Sequence, residues 1–482
     1  MKPFSNRTND VGILFEPDHP AGFYMTRWVF VNERALLVCV ITLFVCRAAL
    51  VSAIVPPWQG PDEPNHFALS KLLTMPIGAW QQNTVNSTQV EQVNVAQVEQ
   101  EVIRSMARHR WWEHRYSLPT PDPLPTSFAA VGQGQNLGVG TYAQPLYYGI
   151  GAAVLRIPRP QDLDASYWHL RMLSVVLGVA TLALGWAGTR LLFDPMVAIG
   201  STAVVALHPQ FLLTALTVNP DALVILCGAF IWWQVARIVR QKKTAFSVAL
   251  VFVVGGAALL TKRNALPTVA AGVLVSLVIV LMQTRIINRR QMQLAAAAAI
   301  VVAGVLFLVV QFTSLDDSLT GLMTFWSTAV TNRRPLEETA LDTFLRIVPT
   351  SLDNFWLVAS WSRFPAPEPW FWIVRMLTVA GFAGAVGLLV QASGQRRQLC
   401  VAWLFVVLQV TAVYVASYQN YIVPHGRLLF PVIAPAAVIF WTGVMWAVPT
   451  SIRRHAAPLL VTVVAALDLT VLTLRLVPVY VH

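Results

Sequence analysis

Of 482 residues, 56% are hydrophobic and only 12% carry charge, which excludes an ordinary soluble domain and fits a chain that crosses a membrane many times. The net charge of +11 does not mark a nucleic-acid binder, because Arg and Lys gather in short loops between apolar runs. Cys39, Cys46, Cys227 and Cys400 all lie inside apolar runs, so no disulfide framework, metal-type spacing or redox motif is legible.

A polar arm, 1–34, comes first. The apolar run behind it starts near Ala35 and is long enough to span a bilayer rather than be removed as a signal. Runs of about 20 residues predict transmembrane helices. They lie at 35–55, 169–191, 196–216, 220–239, 245–261, 265–283, 293–313, 371–391, 398–417, 428–448 and 456–476, eleven in all. The stretches 144–157 and 344–360 are shorter and carry charge, and they predict interfacial or re-entrant helices.

Every second connection is basic. Arg190 lies in one, and Arg237, Arg240, Lys242 and Lys243 in the next but one. Arg285, Arg289 and Arg290 follow, then Arg396 and Arg397, then Arg453 and Arg454. This alternation predicts a cytoplasmic N-terminus, an external C-terminus, and external placement of the two long loops, 56–168 and 314–370. The expected architecture is an all-α polytopic membrane protein, with 35–482 as one transmembrane domain. No repeat relates its two halves, which counts against a transporter built from inverted repeats.

The first external loop opens with "VPPWQGPDEPNHF", residues 55–67, directly after the first span. Prolines flank Asp62 and Glu63, fixing φ and pushing each preceding residue away from helical geometry. The bland reading is a turn with Asp62 as N-cap of a helix beginning near Pro64. That leaves Glu63 and His66 less explained. A carboxylate on so stiff a segment could serve as general base on a hydroxyl acceptor, the second carboxylate orienting it. Further along, "VNSTQVEQVNVAQVEQEVIRSMARHRWWEHRY" predicts an amphipathic helix lying on the membrane. Its end reads either as an interfacial anchor or as a path in which Arg110, Trp111 and Trp112 meet a head group or a sugar face. "TYAQPLYYGIGAAVL" then returns to the membrane through a Pro and the aromatic pair Tyr147 and Tyr148.

Other outward ends of spans carry polar residues. His208, Asn219 and Asp221 sit between the third and fourth spans; Lys262 and Arg263 break the positive-inside pattern; His425 and Arg427 open the tenth span. Lys262 and Arg263 could simply snorkel to head groups, and Asp221 could be only a helix start. Arg427 follows Gly426, which would let a ligand approach the backbone, and Arg suits bidentate phosphate binding. Arg47 lies near mid-membrane, where a cation requires a partner or a cavity. Carboxylates beside cations at the membrane surface suit a reaction whose donor is a lipid phosphate.

"PPWQGPDEPNHF", "QPLYY", "NPDAL", "LLTKRNALP" and "HGRLLFP" together resemble a bacterial family of multi-spanning proteins with a P-x-D-E-P-x-H-F signature. That family in turn looks like the GT-C class of glycosyltransferases, and the resemblance covers about residues 35–450. It implies a GT-C-like fold in the bacterial inner membrane, a polyprenyl-phosphate sugar donor, and an extracytoplasmic glycan, lipid or protein acceptor. It implies Asp62 as catalytic base or metal-associated carboxylate, Glu63 as its partner, and Arg427 as a phosphate contact. His66, Tyr147, Asn219, Asp221, Lys262, Arg263 and His425 are the remaining candidate substrate contacts. Where members often read Gly-Arg-Tyr, this chain has Gly426-Arg427-Leu428. A divalent metal at Asp62 and Glu63 stays open. The rival readings are a flippase or transporter of lipid-linked sugars, which predicts ionisable residues midway along several spans, and a non-catalytic subunit of envelope polysaccharide assembly.

Overall fold

The computed structural model describes residues 24–75, 89–131, 144–157, 162–241, 244–283, 340–356, 358–359, 364–391, 394–420, 425–449 and 451–481. The predicted span 293–313, most of the N-terminal arm and much of the loop 314–370 lie outside the described residues.

The apolar runs become helices because a bilayer leaves backbone polar groups no other partner. The principal ones are α1 (Tyr24–Ile54), α6 (Leu163–Leu192), α9 (Asp221–Val239), α10 (Thr244–Leu259) and α11 (Leu266–Gln283). After them come α12 (Ala340–Trp356), α13 (Glu368–Gln391), α14 (Arg396–Asn420), α15 (Ile433–Ala447) and α16 (Arg453–Val471). Among the described residues eight helices are long and apolar enough to cross a membrane, and α10, at 16 residues, falls short of that length. Among the described residues the one strand pairing is the two-residue antiparallel contact of Val358–Ala359 with Phe364–Pro365. Bulky apolar side chains on α13, among them Trp372, Met376, Val379 and Val390, face outward, as expected of a surface solvated by lipid.

The run 196–216 is not one straight span. It forms α7 (Pro195–Ala206) and α8 (Pro209–Leu216), bent by 63°. Pro209 has no N–H to donate and drives His208 into extended geometry, with ψ at 117°. The His208 imidazole then caps α8, its Nδ1 accepting from the Phe211 N–H at 3.2 Å. The break leaves the Ala206 and Leu207 carbonyls without helical partners, and Arg47 donates to both. The same guanidinium grips Asp468 of α16 through both carboxylate oxygens. The expensive mid-membrane cation of α1 is thus wholly occupied in joining three helices.

The first external loop folds into a small core of its own. It holds α2 (Glu63–Leu72), α3 (Gln89–Arg108) and α4 (Trp111–Tyr116), covered by the start of α6. The apolar face of α3, with Val98, Val102 and Met106, is buried against Trp58, Phe67, Trp111 and Tyr167 instead of lying on lipid. Trp111 is fully buried and donates its indole N–H to the Trp58 carbonyl at 3.0 Å. Trp111 and Trp112 are therefore core residues, neither an interfacial belt nor a substrate path. Sequence composition alone does not separate these roles, because an amphipathic aromatic serves both. Helix α5 (Leu146–Arg156) forms where a short interfacial helix is predicted, and it buries Tyr147 and Tyr148.

Candidate active site

Asp62 and Glu63 are neighbours in sequence and part company in space. Asp62 ends a turn in the left-handed region, with φ 55° and ψ 16°, which an Asp tolerates better than most residues. Its side chain makes no capping hydrogen bond and, among the described residues, has no ion pair. Glu63 turns inward and is almost wholly buried. Its Oε2 accepts from the Gly60 N–H at 2.9 Å, while Oε1 accepts from the Tyr167 hydroxyl at 2.9 Å and the Val218 N–H at 2.8 Å. Burial pushes its pKa up; the nearby Arg171 guanidinium and these donors oppose that rise. Gly60 is required here, because a Cβ would collide with the Thr217 side chain. Glu63 staples the Asp62 turn to α6 and to the approach to α9.

The cations expected beside Asp62 gather on a different carboxylate. Asp221, at the start of α9, accepts from Lys262 Nζ at 2.5 Å, and its Oδ2 lies 3.6 Å from Arg427 Nε. That Oδ2 and that Nε both lack a hydrogen-bond partner. Three segments far apart in sequence thus meet at one point, and His66 of α2 joins them as a fourth. Burial, followed by Lys262, pushes the His66 pKa down to about 3; Asp221 opposes this and Arg427 adds to it. Burial, Arg427 and Lys262 push His425 down to about 4 against Asp221. Both imidazoles are neutral at physiological pH, so two cations face one carboxylate and the cluster keeps an excess positive charge. His66 Nδ1 lies 3.0 Å from the Tyr148 hydroxyl, which fixes the ring. Asp62 stands one helical turn, about 6 Å along α2, from His66.

The remaining candidates divide. Asn219 Oδ1 accepts from the Asp221 N–H at 2.8 Å, a local turn that sets the start of α9. Arg263 opens a short 3₁₀ turn directly after Lys262, the residue that pairs with Asp221. Tyr147 is buried with its ring edge-on to Tyr148, and burial pushes its pKa up. Gly426 packs against the Asn354–Phe355 backbone of α12, where a Cβ would collide. Its smallness admits a helix, not a ligand.

Two further residues, silent in the sequence reading, belong to this region. Arg171 is buried in α6, with Nε donating to the Leu216 carbonyl and Nη1 to the Val55 carbonyl, each at 2.9 Å. It lines a small cavity with Gln59, Gly60, Pro61, Thr217 and Arg427, so the Asp62 turn and Arg427 border the same space. Gln409 of α14 ties the Lys262 turn to the Arg427 turn. The signal for both was a strongly polar side chain placed within or at the edge of an apolar span. An apolar cavity of about 330 Å³ lies between α12, α13, α14 and α15, lined by His208, Phe355, Trp356, Val410, Leu429 and Phe440 among others.

A divalent metal held by Asp62 and Glu63 does not fit this geometry. Both Glu63 oxygens are already taken by protein donors, and no group of three metal-ligating side chains occurs among the described residues.

Residues 163–309 match the sequence profile of the dolichyl-phosphate-mannose–protein mannosyltransferase family, less than a third of the chain. No curated protein shows significant sequence similarity. Among solved structures, the Archaeoglobus fulgidus oligosaccharyltransferase in its apo form is similar at 12% identity and TM-score 0.46, covering 93% of this chain and 55% of that one. The same enzyme tethered to an acceptor peptide gives 10% and 0.47, over 94% of this chain and 55% of that one. AglB from that organism, with an inhibitory peptide and a dolichol-phosphate, gives 12% and 0.45, over 94% and 56%. The chain spans just over half the length of these structures. From α6 onward, over residues 163–309, it carries a segment similar to a family of membrane glycosyltransferases.

Proposed function

We propose that this protein is a GT-C-type glycosyltransferase that moves a sugar from a polyprenyl-phosphate donor to an extracytoplasmic hydroxyl acceptor on a glycan, lipid or protein. The observation that carries the reading is the excess positive charge where Lys262 and Arg427 meet Asp221 beside His66, which itself stands one helical turn of α2 from Asp62, a carboxylate with no ion pair among the described residues. The donor phosphate sits against Lys262 and Arg427, and its hydrocarbon chain runs into the apolar cavity that Leu429 lines two residues after Arg427. Asp62 takes the proton of the acceptor hydroxyl. The acceptor oxygen bonds to the anomeric carbon while the bond from that carbon to the phosphate oxygen breaks. The charge that develops on the departing phosphate falls on the two cations. Asp221 is the poorer candidate for the base, because its charge is committed to those cations. The name of the matched mannosyltransferase family supports a lipid-phosphate donor, and the alternation of basic loops supports a site facing away from the cytoplasm in the bacterial inner membrane.

The test is single-turnover transfer from a labelled polyprenyl-phosphate sugar to membrane-extract acceptors. Asp62→Asn is expected to lower the transfer rate by about 1,000-fold, within the range for loss of a general base. A purified, folded Asp62→Asn protein that transfers at the wild-type rate would remove the base assignment.

A further inference from the structure

Gln409 is an amide side chain in the middle of an apolar helix, and it is buried. Its amide is fully engaged. Nε2 donates to the Leu428 carbonyl at 2.8 Å and to the Asn264 carbonyl at 3.2 Å, and Oε1 accepts from the Thr268 hydroxyl at 3.0 Å. Two carbonyls on one side require the NH₂ there, so the orientation of the amide is fixed by its partners. Leu428 follows Arg427, and Asn264 lies two residues after Lys262. A single side chain therefore links the two turns that present the cations.

We infer that Gln409 is a positioning residue that sets the spacing of Lys262 and Arg427, and so the grip of this site on a lipid phosphate. Around Asp221 only the Lys262 side is held by a hydrogen bond. Arg427 Nε is 3.6 Å from Asp221 Oδ2, beyond a hydrogen bond, so the carboxylate attracts the guanidinium without fixing it. The fixing is done from the backbone side, by an amide with no competing partner. Thr268 locks that amide in turn. Gln409 touches neither the proposed base nor the acceptor, so its loss acts on donor binding and spares the chemical step. The inference rests on the phosphate reading of Lys262 and Arg427.

The experiment measures binding of undecaprenyl phosphate to the full chain in detergent, together with kcat and donor KM for transfer. Gln409→Met keeps the length of the side chain and removes both donors. It is expected to weaken undecaprenyl phosphate binding about 10-fold and raise donor KM in parallel, with kcat within about threefold of wild type, the size of effect expected when one buried hydrogen-bonding group is lost. Thr268→Val, a milder change that leaves both carbonyl bonds in place, is expected to weaken binding about threefold, while Thr268→Ser, which keeps the hydroxyl, restores it. If Gln409→Met does not fold, the Thr268 pair decides. Wild-type binding in Gln409→Met, or in Thr268→Val, overturns the positioning role provided Arg427→Ala still weakens binding. Wild-type binding in Arg427→Ala as well overturns the phosphate reading itself.

Discussion

Arg47 and Asp468 form a finished pair, whereas Asp221, Lys262 and Arg427 form an unfinished one. In the first, one cation meets one anion through two nitrogens, and the remaining donors are used by the Ala206 and Leu207 carbonyls. In the second, two cations share one carboxylate, and Asp221 Oδ2 and Arg427 Nε keep unmet hydrogen-bonding capacity. Desolvating a charge is costly either way, so the difference lies in what the charge is held for. A closed pair fastens helices. On the proposed reading, an open one with surplus positive charge receives an anion that the protein does not itself supply.

The largest effect that would sharpen this contrast comes from opening the closed pair. Arg47→Met alone strands Asp468 and two carbonyls in the bundle and is expected to cost about 3–5 kcal/mol in detergent thermal unfolding. The double variant Arg47→Met/Asp468→Leu is expected to recover most of that and to retain transfer activity. A double variant that is stable yet inactive would break the comparison, because the pair would then serve the reaction.

Arg427→Ala should do the opposite, leaving the unfolding temperature nearly unchanged while weakening polyprenyl-phosphate binding about 10-fold, or about 1.4 kcal/mol. Lys242→Ala, on the predicted cytoplasmic side, serves as the comparison and should leave binding unaltered. Equal loss in both variants would take the phosphate role from Arg427.

Acid should erode the open cluster. His66 and His425 have folded-state pKa values of about 3 and about 4, both below the ordinary 6.5. Their neutral forms contribute stability that is complete above pH 6.5 and is lost as pH falls through about 4 and then 3. His66→Gln should flatten part of that slope in a melting-temperature profile; an unchanged slope would mean that His66 is not held neutral. The smallest effect belongs to the exposed pair Arg110–Glu113, at 2.5 Å. Its removal should change stability by no more than about 0.5 kcal/mol, despite the short distance, because water screens both groups.

Among the described residues most of the spans were legible, because hydropathy acts along the chain. The break at His208–Pro209 was legible too in principle, from the proline, although the run reads as one span. What was hidden depends on direction. Two adjacent carboxylates look like a pair, yet the left-handed turn at Asp62 sends Glu63 into the protein and leaves Asp62 near the surface. Trp111 and Trp112 have the composition of a membrane belt and are core. Asp221 reads as a helix start, and only the fold shows that Lys262 and Arg427 converge on it. Gln409 and Arg171 gave a faint signal, polar residues in apolar helices, which single-residue inspection passes over.

Gly426 leaves no gap between the Arg427 turn and the backbone of α12 at Asn354–Phe355. The same helix contributes Ile347, Ser351, Phe355 and Trp356 to the wall of the large apolar cavity. Wall and turn are consequently in direct contact, so a shift of α12 toward the Arg427 turn meets no slack there. On the proposed reading, a hydrocarbon that pressed α12 toward this turn would be felt at the polar end because glycine leaves no cushion between them.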